Sequence, residues 1–135
     1  MKLDHIGIAQ PDTAALDTLF ADLGLPAFGQ AEVLDKQGVA ASFSQLSNGV
    51  TVEKIVPLSE ESTIAKFLQQ RGPGLHHLAF LVDDIAAERA KLEAKGYRAL
   101  SPSPTLGAKG KWVQFFHPKD TAGVLVELCQ YAQDD

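Results

Sequence analysis

The order of apolar and polar positions in the N-terminal half predicts a strand, a helix and then further strands. Leu3–Ala9 is apolar enough for a strand with one buried face. Apolar residues then recur at helical spacing, with Asp12 as the candidate N-cap and Gly24 as the stop signal. The segments that follow are a short strand with a weak pattern at Phe28–Val33, a strand at Val39–Leu46, a hairpin turn at Ser47–Gly49 and a returning strand at Val50–Val56.

The same succession returns in the second half of the chain. The pattern at Leu75–Val82 predicts a strand, and that at Ile85–Lys95 predicts a helix, which Asp84 caps and Gly96 ends. A short strand at Arg98–Leu100 then precedes a loop at Ser101–Gly110, which is rich in Pro, Ser and Gly and is expected to be mobile. The remaining segments are a strand at Lys111–Phe116, a turn at His117–Gly123, a strand at Val124–Cys129 and a frayed tail at Tyr131–Asp135.

The two halves are copies of one supersecondary unit. His77 lies 72 residues after His5, and the same offset brings Gly24 onto Gly96. A repeat of this length indicates two supersecondary units and not a solenoid. We therefore predict an α+β fold with two tandem βαβββ modules in a single domain. The expected bounds are 1–135 for the domain, about 1–58 for module 1, 59–73 for a connector with a helix at Thr63–Gln70, and about 74–131 for module 2.

Composition is typical of a small globular protein. The chain has 135 residues, of which 45% are hydrophobic and 21% charged, which argues against a disordered chain. The net charge of −5 makes nucleic acid a poor expectation as a partner. The single cysteine, Cys129, excludes an intrachain disulfide. No apolar run approaches the roughly 20 residues of a membrane span, and no signal peptide precedes the first strand, so we expect a cytoplasmic protein without a membrane partner.

Each module combines a histidine at the start of its first strand with a glutamate inside its last strand. These residues are His5 and Glu53 in module 1, and His77 and Glu127 in module 2. A carboxylate among aliphatic neighbours either faces water or belongs to a site that needs it. Because the same residue types occupy equivalent places in both copies, we predict that the four side chains bind one metal ion. Imidazole and carboxylate together suit Co, Ni, Mn, Fe or Zn better than Ca. Four ligands on a six-coordinate ion would leave two positions for substrate or water.

Three other residues of chemical interest are expected to have structural roles. His76 precedes His77 and points to the opposite face of the strand, so it is expected to be exposed or outside the ligand set. His117 lies in a turn before Pro118, which is more typical of a loop residue than of a ligand. Cys129 is expected to be a small core residue.

Several stretches match the pattern of a known family. The most specific are the connector pattern Pro57-Leu-x-x-x-Ser-x-x-Ala-Lys-Phe67 and the C-terminal pattern His117-Pro-Lys followed by Gly123-Val-Leu-x-Glu-Leu128. Paired βαβββ modules with His and Glu in these places resemble the vicinal-oxygen-chelate, or glyoxalase-like, superfamily. Within it, nearly the whole chain resembles the methylmalonyl-CoA epimerase family. The other matching stretches are Asp4–Ala9, Gln37–Val39, Gly74–Ala79 and Leu106–Gly107.

The resemblance implies a fold, a cofactor and a reaction. The two modules would form one curved sheet around a metal cleft, with a divalent ion held by His5, Glu53, His77 and Glu127. Cobalt is the ion most expected, with Mn, Ni or Zn as alternatives. The family interconverts the (2R) and (2S) forms of methylmalonyl-CoA by removing the proton alpha to the thioester, through an enolate that the ion stabilises. An acyl-CoA substrate and a homodimer are therefore expected.

Epimerisation needs a base on one face of the reacting carbon and an acid on the other. The resemblance implies Glu127 as the catalytic group on one face. Some family members carry a second acid–base glutamate three residues after the glycine of the Gln-Gly-Val motif, and that position here is Ala41. Some members also carry Gln where this chain has Glu53. The second proton-transfer group is therefore not identified by the motif.

The CoA moiety is a polyanion, whereas the chain carries a net charge of −5, so its attraction must be local. Lys109, Lys111 and Lys119 offer three ammonium groups on segments expected to be flexible loops. Gly107 and Gly110 would let the backbone approach a phosphate closely. The alternative is that these lysines only solvate a loop.

Three other functions fit parts of the pattern. A glyoxalase-type isomerase of a thiol hemiacetal uses a similar four-ligand site. An extradiol-type dioxygenase needs iron with two His and one carboxylate, so the additional ligand Glu53 counts against it. A non-catalytic member would hold a small molecule without turnover, and Ala41 gives this interpretation some weight.

Overall fold

The computed structural model describes residues 1–132, which form eight strands and three α-helices. By contacts the chain divides into two compact units. One comprises His5–His76, and the other comprises Met1–Asp4 together with the chain from His77 onward. The elements are β1 (Lys2–Ala9), α1 (Ala14–Asp22), β2 (Glu32–Leu34), β3 (Val39–Gln45), β4 (Thr51–Pro57), α2 (Thr63–Arg71), β5 (Gly74–Leu81), α3 (Ile85–Ala94), β6 (Thr105–Leu106), β7 (Lys111–Phe116) and β8 (Val126–Tyr131).

The strands of the two halves follow one topology. In the first half the order is β2-β3-β4-β1, with β1 parallel to β4 and the other pairs antiparallel. In the second half the order is β6-β7-β8-β5, with β5 parallel to β8 and the other pairs antiparallel. The two orders match strand for strand. The predicted α+β class with two βαβββ modules is therefore confirmed.

Two of the helices begin at side chains that satisfy the free N–H groups of the first turn. Ser62 Oγ accepts a hydrogen bond from the backbone N of Ala65 at 3.1 Å at the start of α2. Asp84 Oδ1 accepts one from the backbone N of Ala87 at 3.0 Å at the start of α3. Caps of this kind contribute about 1 kcal/mol each. The cap predicted at Asp84 is confirmed.

The start of α1 differs slightly from the expectation. Its N-cap is Thr13, whose side chain makes no capping hydrogen bond. Asp12, one residue earlier, accepts a hydrogen bond from the backbone N of Ala14 at 2.9 Å through Oδ1. Asp12 therefore satisfies an N–H of the first turn without being the N-cap residue. Gly24, with φ +71°, follows the end of the helix as predicted, in a conformation that favours glycine.

Two predicted strands have the wrong bounds. β2 lies at Glu32–Leu34 and not at Phe28–Val33, and Phe28 instead packs its ring against Phe20 of α1 with centroids 4.8 Å apart. β8 begins at Val126 and not at Val124, and it continues to Tyr131. Tyr131 is therefore part of the sheet and not of a frayed tail. The rest of that predicted tail from residue 133 lies outside the described residues.

The segment between α3 and β7 also differs from the prediction. Instead of a strand at Arg98–Leu100, the structure has a single bridge between Ala99 and Phe116. The loop that was expected to be mobile contains β6, which pairs with β7. A strand of two residues is too short for a periodic signal in the sequence.

Successive side chains of β8 point to opposite faces of the sheet. On one face, Leu128 belongs to a buried cluster with Val82, Ile85 and Phe116, which packs α3 against the sheet. Burying an aliphatic or aromatic side chain of this size contributes roughly 1.5–3 kcal/mol. The neighbouring Glu127 points to the other face because successive strand residues alternate. The packing of α3 thus fixes which face of module 2 carries the polar site.

The unit of His5–His76 has two apolar clusters. Leu16 and Phe20 of α1 pack against Val52 of β4. Ile64 of α2 packs with Ala9, Val39 and Ile55 in the second cluster. Within the part of the chain that the structure describes, no helix is long and apolar enough to cross a membrane.

Candidate active site

The register of the strands gives Glu53 and Glu127 equivalent surroundings. Glu53 lies beside Gly7 on the parallel strand β1 and opposite Phe43 on the antiparallel strand β3. Glu127 lies beside Ala79 on β5 and opposite Phe115 on β7. Gly7 and Ala79 are related by the 72-residue offset of the repeat, and so are Phe43 and Phe115. Each glutamate therefore lies between a small residue and a phenylalanine.

Each glutamate is buried next to the histidine of its own module. Glu53 Oε1 lies 3.5 Å from His5 Nε2, and Glu127 Oε2 lies 3.1 Å from His77 Nε2. The exposed fractions of Glu53 and Glu127 are only 7% and 4%. Every other described Asp or Glu is at least partly exposed. A carboxylate is costly to bury without a cation or hydrogen-bond donors, so these pairs are the candidate functional positions.

The chemistry and spacing of each pair fit a divalent ion. Metal bonds to His nitrogen and carboxylate oxygen are about 2.0–2.2 Å long, so neighbouring ligand atoms lie about 3.0 Å apart in octahedral and 3.4 Å apart in tetrahedral geometry. The observed nitrogen–oxygen distances of 3.5 and 3.1 Å lie close to the tetrahedral and octahedral values respectively. Each module therefore offers one imidazole nitrogen and one carboxylate oxygen to an ion of the class that accepts both.

Position 41 cannot take part in chemistry directly. Ala41 has an exposed fraction of 0% and pairs with Ile55 in the β3–β4 ladder. A fully covered methyl group neither touches a substrate nor transfers a proton. The second proton-transfer group must therefore come from another residue.

Lys111 is not on a flexible loop, contrary to the expectation from the sequence. It is the first residue of β7 and is buried, with its Nζ 2.6 Å from Asp4 Oδ2 and 4.9 Å from the centre of the Tyr131 ring. Burial by itself lowers the pKa of Lys111, but the hydrogen bond and the charge of Asp4 outweigh it and raise the pKa above its ordinary value. This ammonium group is already neutralised within the fold.

Asp4 is the partner that the sequence interpretation missed. The available signal was a charged residue directly before His5 in an apolar strand, but its partner lies 107 residues away in sequence. Cys129 is fully buried in the same region. Burial, followed by the charges of Asp4 and Glu127, raises the pKa of the Cys129 thiol to about 12. The expectation that Cys129 is a small core residue agrees with this burial.

We predict that Lys111→Met lowers the free energy of unfolding by about 3–5 kcal/mol, because the change leaves the Asp4 carboxylate without its cation. Urea denaturation at neutral pH measures the effect. Lys119→Met is the matched control, since Lys119 is exposed and such surface changes usually stay within about 0.5 kcal/mol. A loss below about 1 kcal/mol for Lys111→Met would contradict a stabilising role of the pair.

The other two lysines of the predicted phosphate-binding set are exposed. Lys109 has φ +59° in the short 3-10 turn before β7, and Lys119 lies in the turn after it. That second turn is fixed by Asp120, whose carboxylate accepts hydrogen bonds from the backbone N, Nε and Nη2 of Arg98. These bonds lower the pKa of Asp120 to about 2. Lys119 is therefore carried by an ordered turn.

The two remaining histidines have neighbours of their own. His76 packs edge-on against the ring of Phe67 on α2, with centroids 4.9 Å apart. His117 is partly buried in the β7–β8 turn, and its Nδ1 has no hydrogen-bond partner. The charge of His117 is one of the causes that lower the pKa of Asp120, so this histidine lies near the carboxylate that orders its turn.

The comparisons with known proteins point to one family. The model of the Glyoxalase/Bleomycin resistance protein/Dioxygenase superfamily matches residues 4–115. The chain is 43% identical over 136 residues to the ethylmalonyl-CoA/methylmalonyl-CoA epimerase of Cereibacter sphaeroides, covering 96% of this chain and 97% of that protein. It is 39% identical over 130 residues to the mitochondrial methylmalonyl-CoA epimerase of Homo sapiens, covering 96% and 73%.

A solved structure agrees with these relatives. A variant of the Streptomyces coelicolor methylmalonyl-CoA epimerase in complex with 2-nitronate-propionyl-CoA superimposes with a TM-score of 0.89 at 35% identity, covering 98% of this chain and 99% of that chain. The chain therefore belongs to the glyoxalase/bleomycin resistance protein/dioxygenase superfamily and, within it, to the family of methylmalonyl-CoA epimerases. The resemblance derived from the sequence is confirmed.

Proposed function

We propose that this protein is an enzyme that interconverts the (2R) and (2S) forms of methylmalonyl-CoA. The observation that carries the proposal is the pair of buried His–Glu couples in equivalent places of the two modules. Full-length similarity to methylmalonyl-CoA epimerases supports the substrate class. The reaction removes the hydrogen between a thioester and a carboxylate and returns a proton to the opposite face of the same carbon.

The cofactor is one divalent ion held by the two His–Glu couples, His5 with Glu53 and His77 with Glu127. Cobalt is the ion we expect, and Mn, Ni and Zn are compatible with the same donor set. When bound, the ion supplies positive charge that stabilises the negative charge developing on the thioester oxygen. The nitrogen–oxygen distances of 3.5 and 3.1 Å support two neighbouring ligand positions from each module.

Glu127 is the proton-transfer group on one face of the substrate. Its carboxylate is buried and lies 3.1 Å from His77 Nε2 through Oε2. The apolar surroundings supplied by Phe115 and Ala79 also limit access of water to the carboxylate. A correctly positioned general base of this kind contributes roughly 10²–10⁴-fold to a rate.

The polyanionic part of CoA is attracted by the exposed lysines before and after β7, Lys109 and Lys119. Lys111 is left out of this set because its ammonium group is buried against Asp4. Lysine binds phosphate as a point charge without fixed geometry. This contribution should therefore be modest and should weaken as salt is added.

We predict that the double change Lys109→Ala with Lys119→Ala raises KM for methylmalonyl-CoA roughly 2–10-fold and leaves kcat nearly unchanged, since remote charges bind ground and transition states alike. Steady-state kinetics at low and high ionic strength measures the effect. Lys91→Ala on α3 provides an exposed control outside these turns. An unaltered KM at both ionic strengths would place the phosphates elsewhere.

The proposed function is tested with a single epimer of methylmalonyl-CoA. The cobalt-loaded protein is expected to convert this epimer to an equal mixture of the (2R) and (2S) forms. Chiral chromatography of the recovered thioester measures the conversion. The thiol hemiacetal of a glyoxalase-type reaction is offered in parallel. Turnover of the hemiacetal alone would favour the isomerase function, and binding of both compounds without turnover would favour a non-catalytic member.

The assembly and the compartment remain predictions. We propose a homodimer in the cytoplasm, in line with what the family resemblance and the sequence suggest. Light scattering at micromolar concentration measures the assembly, and a monomer mass of 14.5 kDa would contradict the first of these two predictions.

A further inference from the structure

A phenylalanine lies against both members of the His–Glu couple of module 2. Phe115 is the cross-strand partner of Glu127 in the β7–β8 ladder. Its ring meets the imidazole of His77 edge-on, with centroids 5.5 Å apart and an angle of 89° between the ring planes. We propose that Phe115 is a positioning residue, which holds the His77 ring in the orientation in which Nε2 faces Glu127 and can bind the ion. This inference rests on the metal site of the proposed function.

The first support is the geometry of the ring contact. Two aromatic rings favour an edge-to-face arrangement with centroids about 4.5–7 Å apart, and the rings of Phe115 and His77 have it. In this orientation His77 Nε2 lies 3.1 Å from Glu127 Oε2. Rotation of the imidazole about its bond to Cβ would lose both contacts. Because the torsion of such a ring is only weakly restrained by itself, a neighbour that favours one orientation fixes the direction of the ligand atom.

The second support comes from the repeat. Strand β7 corresponds, at the 72-residue offset, to residues 39–44 of β3. Of these six pairs of positions, only the pair of Phe43 and Phe115 holds the same residue in both copies. Each of these phenylalanines lies opposite the glutamate of its own module. The rest of the strand differs between the copies, so the phenylalanine accompanies the His–Glu couple and not the strand as a whole.

The third support is that the apolar core does not account for this side chain. Phe116, the next residue, is fully buried in the cluster that packs α3 against the sheet. Phe115 points to the opposite face because successive strand residues alternate, and it remains partly exposed. A large apolar ring in this place gains less from burial than Phe116 does. Its contact with the buried imidazole of His77 gives the ring a role that burial does not.

The contact has a consequence for the affinity of the site. A ligand that spends only part of its time in the binding orientation lowers the apparent affinity by that fraction. An edge-to-face ring pair changes an equilibrium of this kind by roughly 2–10-fold. Loss of the Phe115 ring should therefore weaken cobalt binding by about this factor. It should also alter the arrangement of ligands around cobalt, which the visible absorption of Co²⁺ reports.

The test is a titration of three full-length variants with cobalt chloride, followed by visible absorption. Phe115→Leu removes the ring but keeps an apolar side chain, and it is expected to bind cobalt roughly 2–10-fold more weakly than wild type with a changed spectrum. Phe115→Tyr keeps the ring and is expected to retain the wild-type affinity and spectrum. Phe116→Leu is the matched control on the opposite face. It should lower the melting temperature by about 3–6 °C without changing cobalt affinity or spectrum.

Two outcomes overturn the inference. One is a Phe115→Leu protein with the wild-type cobalt affinity and spectrum, and the other is an equal loss of affinity in Phe115→Leu and Phe116→Leu, which would indicate a general loosening of β7. If Phe115→Leu does not fold, Phe115→Met is titrated in its place and judged by the same two outcomes. A wild type that binds cobalt without converting methylmalonyl-CoA would refute the proposed function, and the titrations would still decide the role of Phe115. A wild type that binds no cobalt would refute the metal site and this inference with it.

Discussion

Glu127→Gln is expected to lower the rate of epimerisation by roughly 10²–10⁴-fold, because an amide cannot accept the proton of the substrate. The change keeps the size of the side chain and retains an oxygen that can ligate an ion. Glu127 is 4% exposed and lies between Ala79 and Phe115. A carboxylate on the exposed surface therefore cannot take over its proton transfer. The loss should therefore appear in kcat and not in metal content.

Glu60→Gln is the matched control for this variant. Glu60 is an exposed glutamate between β4 and α2, so the same chemical change there should leave kcat unaltered. Cobalt content by elemental analysis and the midpoint of thermal unfolding are measured for both variants. A Glu127→Gln protein that binds cobalt and retains kcat within a factor of two would contradict the role of Glu127 in proton transfer.

His77→Ala is expected to abolish metal-dependent activity by removing one ligand of the ion. Changes to the residues that only support metal ligands already weaken binding by roughly 10–100-fold, so the loss of a ligand should cost at least roughly 10²-fold in cobalt affinity. Free cobalt at about 100 times its dissociation constant should stabilise the wild type by about 2.7 kcal/mol. The variant should show no such stabilisation at the same concentration.

The neighbouring histidine provides the control for this experiment. His76→Ala removes the same type of side chain from the same strand, but the ring of His76 packs against Phe67 on α2. Its cobalt-dependent rise in melting temperature should equal that of the wild type. Equal cobalt stabilisation of the wild type and of both variants would contradict the ligand assignment of His77.

The repeat was predictable from the sequence because it is a property of spacing. His5, Gly24 and Asp12 return at one fixed offset, and the strand orders of the two halves agree with it. The special position of Glu53 and Glu127 was also predictable. Burying a carboxylate within an aliphatic strand costs free energy unless the carboxylate belongs to a site, and both residues are buried. These features depend on local pattern and on its repetition.

The features that were missed depend on contacts between distant segments. Lys111 follows a glycine-rich loop, which is typical of an exposed cation, but its partner Asp4 is 107 residues away. The late start of β8 at Val126 follows from its register with β5 and β7. The apolar residues Val124 and Leu125 continue the same pattern without joining the strand. Neither fact is visible in the periodicity of a single segment.

The measurement that most directly tests the central claim is exchange of the methine hydrogen of methylmalonyl-CoA in deuterated water, followed by proton NMR. The cobalt-loaded protein is expected to remove the methine signal at an enzymatic rate while the methyl doublet collapses to a singlet. The rate should fall on adding a chelator and return when cobalt is restored. An unchanged methine signal with the loaded protein, under conditions in which the thioester stays intact, would contradict the account.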